Sequence, residues 1–461
     1  MKWQRAKVCS ILALMALGVV GAISKWAIGG FNQPAGVKVD AKGVLSTQLF
    51  RDPTGQLTLQ RKNAAKANLN RDLQKPSKLR KVSLNRLEKA IAKRLAEGKA
   101  ETDDMKYLAG LTQITHVFYL PETKDIVIAG PAEGFFENIA GRMVGMHSDK
   151  TVLQLQDLVV ALRCFGPDGD QTKQIGCSID PTQEGLKRMQ QYLVSIAGKV
   201  RPNQASANAV AKGLKDNLGL QDVKIVGISE KSHFAQVLVE ADYRMKLIGI
   251  GLEKPQANIH SYVSKVKPAQ VAKNALTRWF FQPDYDSVLV SEDQNAMQLV
   301  GKGVKLVTEN ELVAPDGIRQ RSNSKDIASM AFCSSFTRQY HQMADRTAVY
   351  AELKNLVDMS IVAAFIQKED FFGRAGWDME FFGDEEQFPV ETYTAPKQVA
   401  TAVNAIFKGN HLMTPVGGGV DIQPLKAVDE ERIKFDEKGL INKVRNTVKV
   451  DDLEDGQWWW D

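Results

Sequence analysis

Apolar residues along the chain change spacing several times, and each change predicts an element. Leu84, Leu87, Ile91 and Leu95 recur at helical intervals, and Gly98 is placed to stop that helix. Ile114–Leu120 and Asp125–Ala129 are β-rich runs around the Pro121–Lys124 turn and predict a hairpin. Leu153–Leu162 predicts a helix. Ile175–Ile179 predicts a strand, followed by a helix from Asp180-Pro181 to Ala197 with Leu186, Met189, Leu193 and Ile196 on one face. A second such unit has a helix over Asn208–Leu218, a strand over Val223–Ile228 and a helix from Ser232 to Met245. Within that last helix Glu240/Arg244 and Asp242/Lys246 stand four apart with the acid first, the favourable order.

Residues 277–308 change character. TRWFFQ, DSVLVS, AMQLVG and VKLVT are short β runs separated by close turns, the spacing of an antiparallel meander. Two long helical patterns follow, over Lys325–Asp345 and Ala348–Gln367. Their short Arg346-Thr347 joint predicts a helical hairpin. The expected class is α+β: small α/β-like units over 81–255, a meander over 256–318, the hairpin over 325–368, and an irregular segment over 369–461 with a Trp-rich tail. Two or three subdomains would suit a chain of 461 residues.

The first residues add an export reading. Lys2, Arg5 and Lys7 precede the apolar run Val8–Gly21, and Val20 and Ala22 are small residues at a cleavage position. That order predicts a secretory signal peptide over 1–22, giving a periplasmic or secreted protein; a signal retained as an anchor is the competing reading. Cys9 opens the apolar run and cannot serve as a lipoprotein cysteine. No later run is long enough to span a bilayer. Residues 23–80 lack periodicity beyond a short strand pair around Gly43–Leu59 and read as a basic, partly disordered linker.

A hydrophobic fraction of 44% and a charged fraction of 25% are those of an ordinary globular protein. The net charge of +6 is too small for a nucleic-acid-binding balance, but it is uneven. Residues 38–106 are rich in Lys and Arg, which would suit an anionic cell-surface polymer or lipid headgroups; a solvated leader is the plainer account. Past the signal, Cys164 and Cys177 flank a turn-rich stretch. They read either as a disulfide, which export permits, or with Cys333 as buried thiols.

Motifs with strong chemistry are missing: no HExxH, no paired CxxC, no phosphate loop, no G-x-S-x-G. No cofactor and no metal site is expected, and the six histidines lie far apart. Ser322–Lys325 matches S-x-x-K but sits where Ser would cap a helix. Asp168/Asp170 and Asp284/Asp286 read as turns, not calcium loops. The most unusual stretch runs from His411 to Asp421 through Gly417, Gly418 and Gly419. It reads as a binding or active-site loop, with His411 and Asp421 as catalytic candidates, or as a tight bend. Trp458, Trp459 and Trp460 are a candidate docking peg; three exposed Trp would invite aggregation, so they should be covered.

Five phrases carry a resemblance: IAGPAEGF (128–135), IGCSIDPTQEGL (175–186), HFAQVLVEADYRMKLIGIGLE (233–253), AMQLVGKGVKLVTE (296–309) and TPVGGGVDIQP (414–424). They resemble an exported family known mainly from planctomycete bacteria and classed as a domain of unknown function, family 1598. The resemblance covers residues 100–425 and implies no activity, so no functional residue transfers with it. The expectation is a non-catalytic binding or scaffold protein of the cell envelope, partnered by an envelope protein or an anionic polymer. A hydrolase of cell-surface or imported polymer is the alternative.

Overall fold

Twenty strands and eight helices of nine residues or more make up the described part of the chain. The computed structural model describes residues 36–461 except 49, 51, 53, 202, 268–274, 323–325, 408–410, 414–415, 451–452 and 455. The signal-peptide expectation for 1–22 therefore lies outside the described residues.

The helices are α1 (Gln56–Asn68), α2 (Leu84–Ala96), α3 (Leu155–Arg163), α4 (Gln183–Ile196), α5 (Gln204–Leu218), α6 (His233–Gly249), α7 (Ile327–Arg346) and α8 (Ala348–Lys368). Most start at a polar side chain that accepts an otherwise unpaired amide. Thr182 accepts from Gly185 N, Asn203 from Ser206 N, Ser232 from Ala235 N, and Asp326 from Ala328 N and Ser329 N.

The larger sheet has nine strands. In spatial order they are β1 (Val37–Val39), β2 (Val44–Thr47), β15 (Gln398–Ala400), β9 (Leu220–Val226), β8 (Ile175–Pro181), β18 (Val416–Ile422), β10 (Ala275–Pro283), β13 (Val304–Val313) and β14 (Arg319–Ser322). Pairing is antiparallel except at β2/β15 and β10/β18. The smaller sheet has seven strands: β19 (Lys434–Phe435), β11 (Val288–Val290), β12 (Ala296–Leu299), β4 (His116–Leu120), β5 (Asp125–Ala132), β3 (Ser77–Ser83) and β20 (Trp459–Trp460). Two hairpins, β6/β7 (Phe135–Glu137, Met143–Gly145) and β16/β17 (Ala405–Phe407, His411–Met413), complete the strands.

Strand alternation places the core. On β10, Trp279 and Phe281 turn to one face and meet Phe332, Phe336, Tyr340 and Tyr350 of α7 and α8. Leu276 turns to the other face and packs with Leu186, Met189, Val210 and Leu214 of α4 and α5. The larger sheet is thus covered on both sides. Helix α8 buries sixteen of its 21 residues, and one hydrophobic cluster runs from Val82 of the smaller sheet through α8 to Trp279 of the larger.

The α+β class stands, and so does the antiparallel pairing expected around residues 277–308. The arrangement differs from a single meander: β10 and β13 join the larger sheet, while β11 and β12 between them join the smaller. Part of the expected linker is also structured. Its strand pair stands earlier than the expected Gly43–Leu59, as β1/β2 over Val37–Thr47, and residues 56–68, which take in the far end of that stretch, form α1. That helix buries no residue completely, so it shows no apolar stripe to read.

Candidate functional site

Helix α6 buries fourteen of its seventeen residues, and five of those are polar or charged: His233, Gln236, Glu240, Asp242 and Lys246. The sequence sets this up by spacing. His233, Gln236, Glu240 and Arg244 follow one stripe, and Asp242 and Lys246 another. Charges withdrawn from water cost several kcal/mol each unless paired, and here they are paired in series. Arg142 gives Nη2 to Glu240 Oε2 (2.5 Å) and Nη1 to Glu352 of α8. Arg244 gives Nη1 to Glu240 Oε1 (3.2 Å) and Nη2 to Glu253 Oε1 (2.8 Å). The result is an alternating chain Glu352–Arg142–Glu240–Arg244–Glu253. The backbone at Gly36 seals it: a Cβ there would stand 2.4 Å from Glu240 Oε1.

On the second stripe, Lys246 Nζ donates to Asp242 Oδ2 (2.8 Å), Ile179 O (2.8 Å) and Gly418 O (3.3 Å). Its ammonium therefore bridges α6 to the facing strands β8 and β18. Burial pushes the Asp242 carboxyl up to about 6, against the pull of Lys246.

His233 opens α6. Its Nδ1 lies 2.8 Å from Asp157 Oδ2 of α3, and its Nε2 lies 3.4 Å from Gln154 Nε2. An amide donating to Nε2 leaves the ring proton on Nδ1, directed at the aspartate. Beside the pair is a recess with Gln154, Asp157, His233, Glu352 and Asn355 on its polar side and Leu356 and Met359 on its apolar side. It leaves ≈ 10 Å³ for the centre of a water-sized sphere, room for about one water. Asp157 Oδ1 is buried there without a hydrogen-bond partner. A histidine oriented by a carboxylate is the acid–base half of a hydrolytic site. None of the side chains lining this recess is a serine, threonine or cysteine. Among the described residues, no group of three or more His, Cys, Asp or Glu is placed to hold a metal ion.

The residues singled out from sequence are dispersed. Gly417, Gly418 and Gly419 form no loop; they lie in β18, between β8 and β10. Close packing explains them. A Cβ would meet Asp180 Oδ1 at 2.5 Å from Gly417, Trp279 O at 1.8 Å from Gly418 and Cys177 O at 1.9 Å from Gly419. Asp421, on the same strand, is held by glutamine amides: Gln174 Nε2 donates to Oδ1 (2.8 Å), Gln282 Nε2 to Oδ2 (3.2 Å), and Gln423 Nε2 to both. His411 belongs to β17, and its side chain lies outside the described residues.

Trp459 and Trp460 form β20, paired with Val82 and Lys81 of β3, so the tail covers its own chain. Trp458 and Trp460 are buried, and the Asp461 carboxylate receives Nε and Nη2 of the fully buried Arg80, both at 2.9 Å. Cys164, Cys177 and Cys333 are free, buried thiols, so the Cys164–Cys177 disulfide is not formed. Cys164 ends α3 and its Sγ lies 3.5 Å from Gly227 O, while Cys177 sits in mid-sheet on β8. Burial pushes the Cys164 thiol up to about 11 and that of Cys177 well above its usual value. Ser322 ends β14, and Lys325 lies outside the described residues.

Residues 177–262 match the family model described as a protein of unknown function, DUF1598. No curated protein and no solved structure matches the chain. The DUF1598 segment includes α4, α5, β9, α6 and β8 from Cys177 onward. It therefore contains Glu240, Arg244 and Glu253 of the buried ion chain, and His233, Asp242 and Lys246 of the neighbouring pairs. By spacing alone Glu240/Arg244 and Asp242/Lys246 read as helix-face pairs. The signal that they are internal was their place on a helix with apolar residues on its remaining faces.

Proposed function

We propose that this protein is exported and acts outside the cytoplasm by non-catalytic binding, holding an anionic polymer of the cell envelope. The observation that carries this is the distribution of charge. Residues 56–99 hold thirteen Lys and Arg against three Asp and Glu, a balance of +10 in a chain whose total is +6. The rest of the chain is therefore net acidic. Of these thirteen, Lys66, Arg71, Lys75, Lys78, Lys89, Lys93 and Lys99 are exposed, set on α1, β3, α2, the stretch between α1 and β3, and the turn after α2. A concentrated field of one sign attracts polyanions and is screened over about 8 Å at physiological salt. The leader over residues 1–22 and the resemblance to an exported family support the location. The alternative, a hydrolase, has the His233–Asp157 pair in its favour, but its substrate would have to reach a recess sized for about one water.

Retention on a sulfated-dextran column tests the binding. The mature protein should be held at about 0.15 M salt, and Lys66→Glu/Arg71→Glu/Lys89→Glu/Lys93→Glu should elute at lower salt. Equal elution of the two would refute the reading. Intact mass of the protein from fractionated cells tests the location: a chain beginning at Ile23 supports it, and one retaining Met1 in the cytoplasmic fraction refutes it.

A further inference from the structure

We infer that the carboxyl ends of the parallel strands β10 and β18 form a discrete site for a phosphate group, separate from the basic stretch proposed above. The two strands run side by side from Thr277/Val416 to Phe281/Val420, and the turns that follow them hold Tyr285 and Gln423. The Tyr285 hydroxyl accepts from Gln423 N (3.3 Å), which ties the turns together.

Cations converge on this point. Lys305 Nζ lies 5.7 Å, Lys426 Nζ 5.9 Å and the Arg432 guanidinium carbon 5.6 Å from the centre of the Tyr285 ring. Each comes from a different element: β13, the turn after β18, and the segment before β19. Three positive groups within 6 Å of one point repel one another, so an arrangement that persists calls for negative charge beside it. The protein answers with two carboxylates for three cations: Asp286, whose Oδ1 is 3.6 Å from Arg432 Nη1, and Asp421, which accepts from Gln174, Gln282 and Gln423 and acts on the Tyr285 hydroxyl, so negative charge falls one short. No carboxylate of the described residues lies within ion-pair distance of Lys305 or Lys426. The ring is buried, whereas Lys426 and Arg432 are exposed and Lys305 half-buried, so the charges stand at the surface around a covered aromatic ring. Two ammonium groups and a guanidinium match the charge and the several acceptor oxygens of a phosphate better than a single carboxylate.

The test is calorimetric titration of the full protein with inorganic phosphate and, separately, with a poly(glycerol phosphate) chain. Lys426→Ala/Arg432→Ala, at exposed positions, should weaken binding by about tenfold or more. The charge-reversed 56–99 variant should bind inorganic phosphate unchanged, which separates this site from the basic stretch. Binding of the free ion that the double variant loses identifies a small phosphate ligand. Binding of the polymer alone, again lost in the double variant, identifies a phosphate carried on a chain. Binding of neither, or binding that survives Lys426→Ala/Arg432→Ala, overturns the inference.

Discussion

Replacing Arg142 with Met gives the sharpest test of the buried ion chain. Arg142 is 6% exposed, Glu240 0% and Glu352 8%. Met keeps most of the side-chain volume, so the change isolates charge. Glu240 retains Arg244, but Glu352 is left without a cation within ion-pair distance among the described residues. Removing one partner of a buried pair costs about 3–5 kcal/mol, mainly because the survivor stays desolvated and unpaired. Urea unfolding followed by tryptophan fluorescence reads the loss directly. Glu352→Gln made in the Arg142→Met background removes the stranded charge and should restore about 1–2 kcal/mol. If Arg142→Met costs no more than about 0.5 kcal/mol, as an ordinary surface change does, or if the two substitutions simply add, the ion chain is not holding α6 to α8 and the reasoning fails.

Two further outcomes follow from the same interior. Gly418→Ala should cost about 3 kcal/mol or more in the urea experiment, since its φ is +130° and the new Cβ would meet the Trp279 carbonyl. Gly169→Ala, with φ +88° and nothing within 4 Å, should cost about 1–2. The Asp242 carboxyl, raised to about 6 by burial, binds a proton in the native state that the unfolded chain releases near 3.8. The Asp242 contribution to stability should therefore fall as pH rises from about 4 to about 6 and stay low above that. It is read as the wild-type minus Asp242→Asn difference in urea midpoint, and a difference that rises across this range would contradict the assignment.

Elements with a clean apolar period were legible in the sequence. The β4/β5 hairpin, α2, α4, α6 and the α7/α8 pair all stand close to their expected positions: α2 and α4 are buried on one side, α6 and α7 open at explicit caps, and β4/β5 and α8 are sustained apolar runs. Ser232 and Asp326 are examples of such caps. What failed to show had a different physical basis. Strand β18 hides behind three glycines, which normally signal turns but here admit the neighbouring carbonyls of Trp279 and Cys177. Helix α1 is polar on most sides. The candidate residues suffered in the same way: His411 and Asp421 are neighbours in sequence, yet Asp421 is fixed by glutamines from three separate segments. The His233–Asp157 pair joins α6 to α3 across 76 positions, a distance that no local motif records.

The division of residues 275–313 between the two sheets has a mechanical consequence. The backbone leaves the larger sheet at Pro283, passes through β11 and β12 in the smaller one, and returns at Val304. Neither sheet can open along this seam without dragging the other's strands. Denaturation should then proceed as a single event, and native-state hydrogen exchange in Phe280 and Met297 should report the same opening free energy. The fold is stitched, so parts that look like separable layers share one fate.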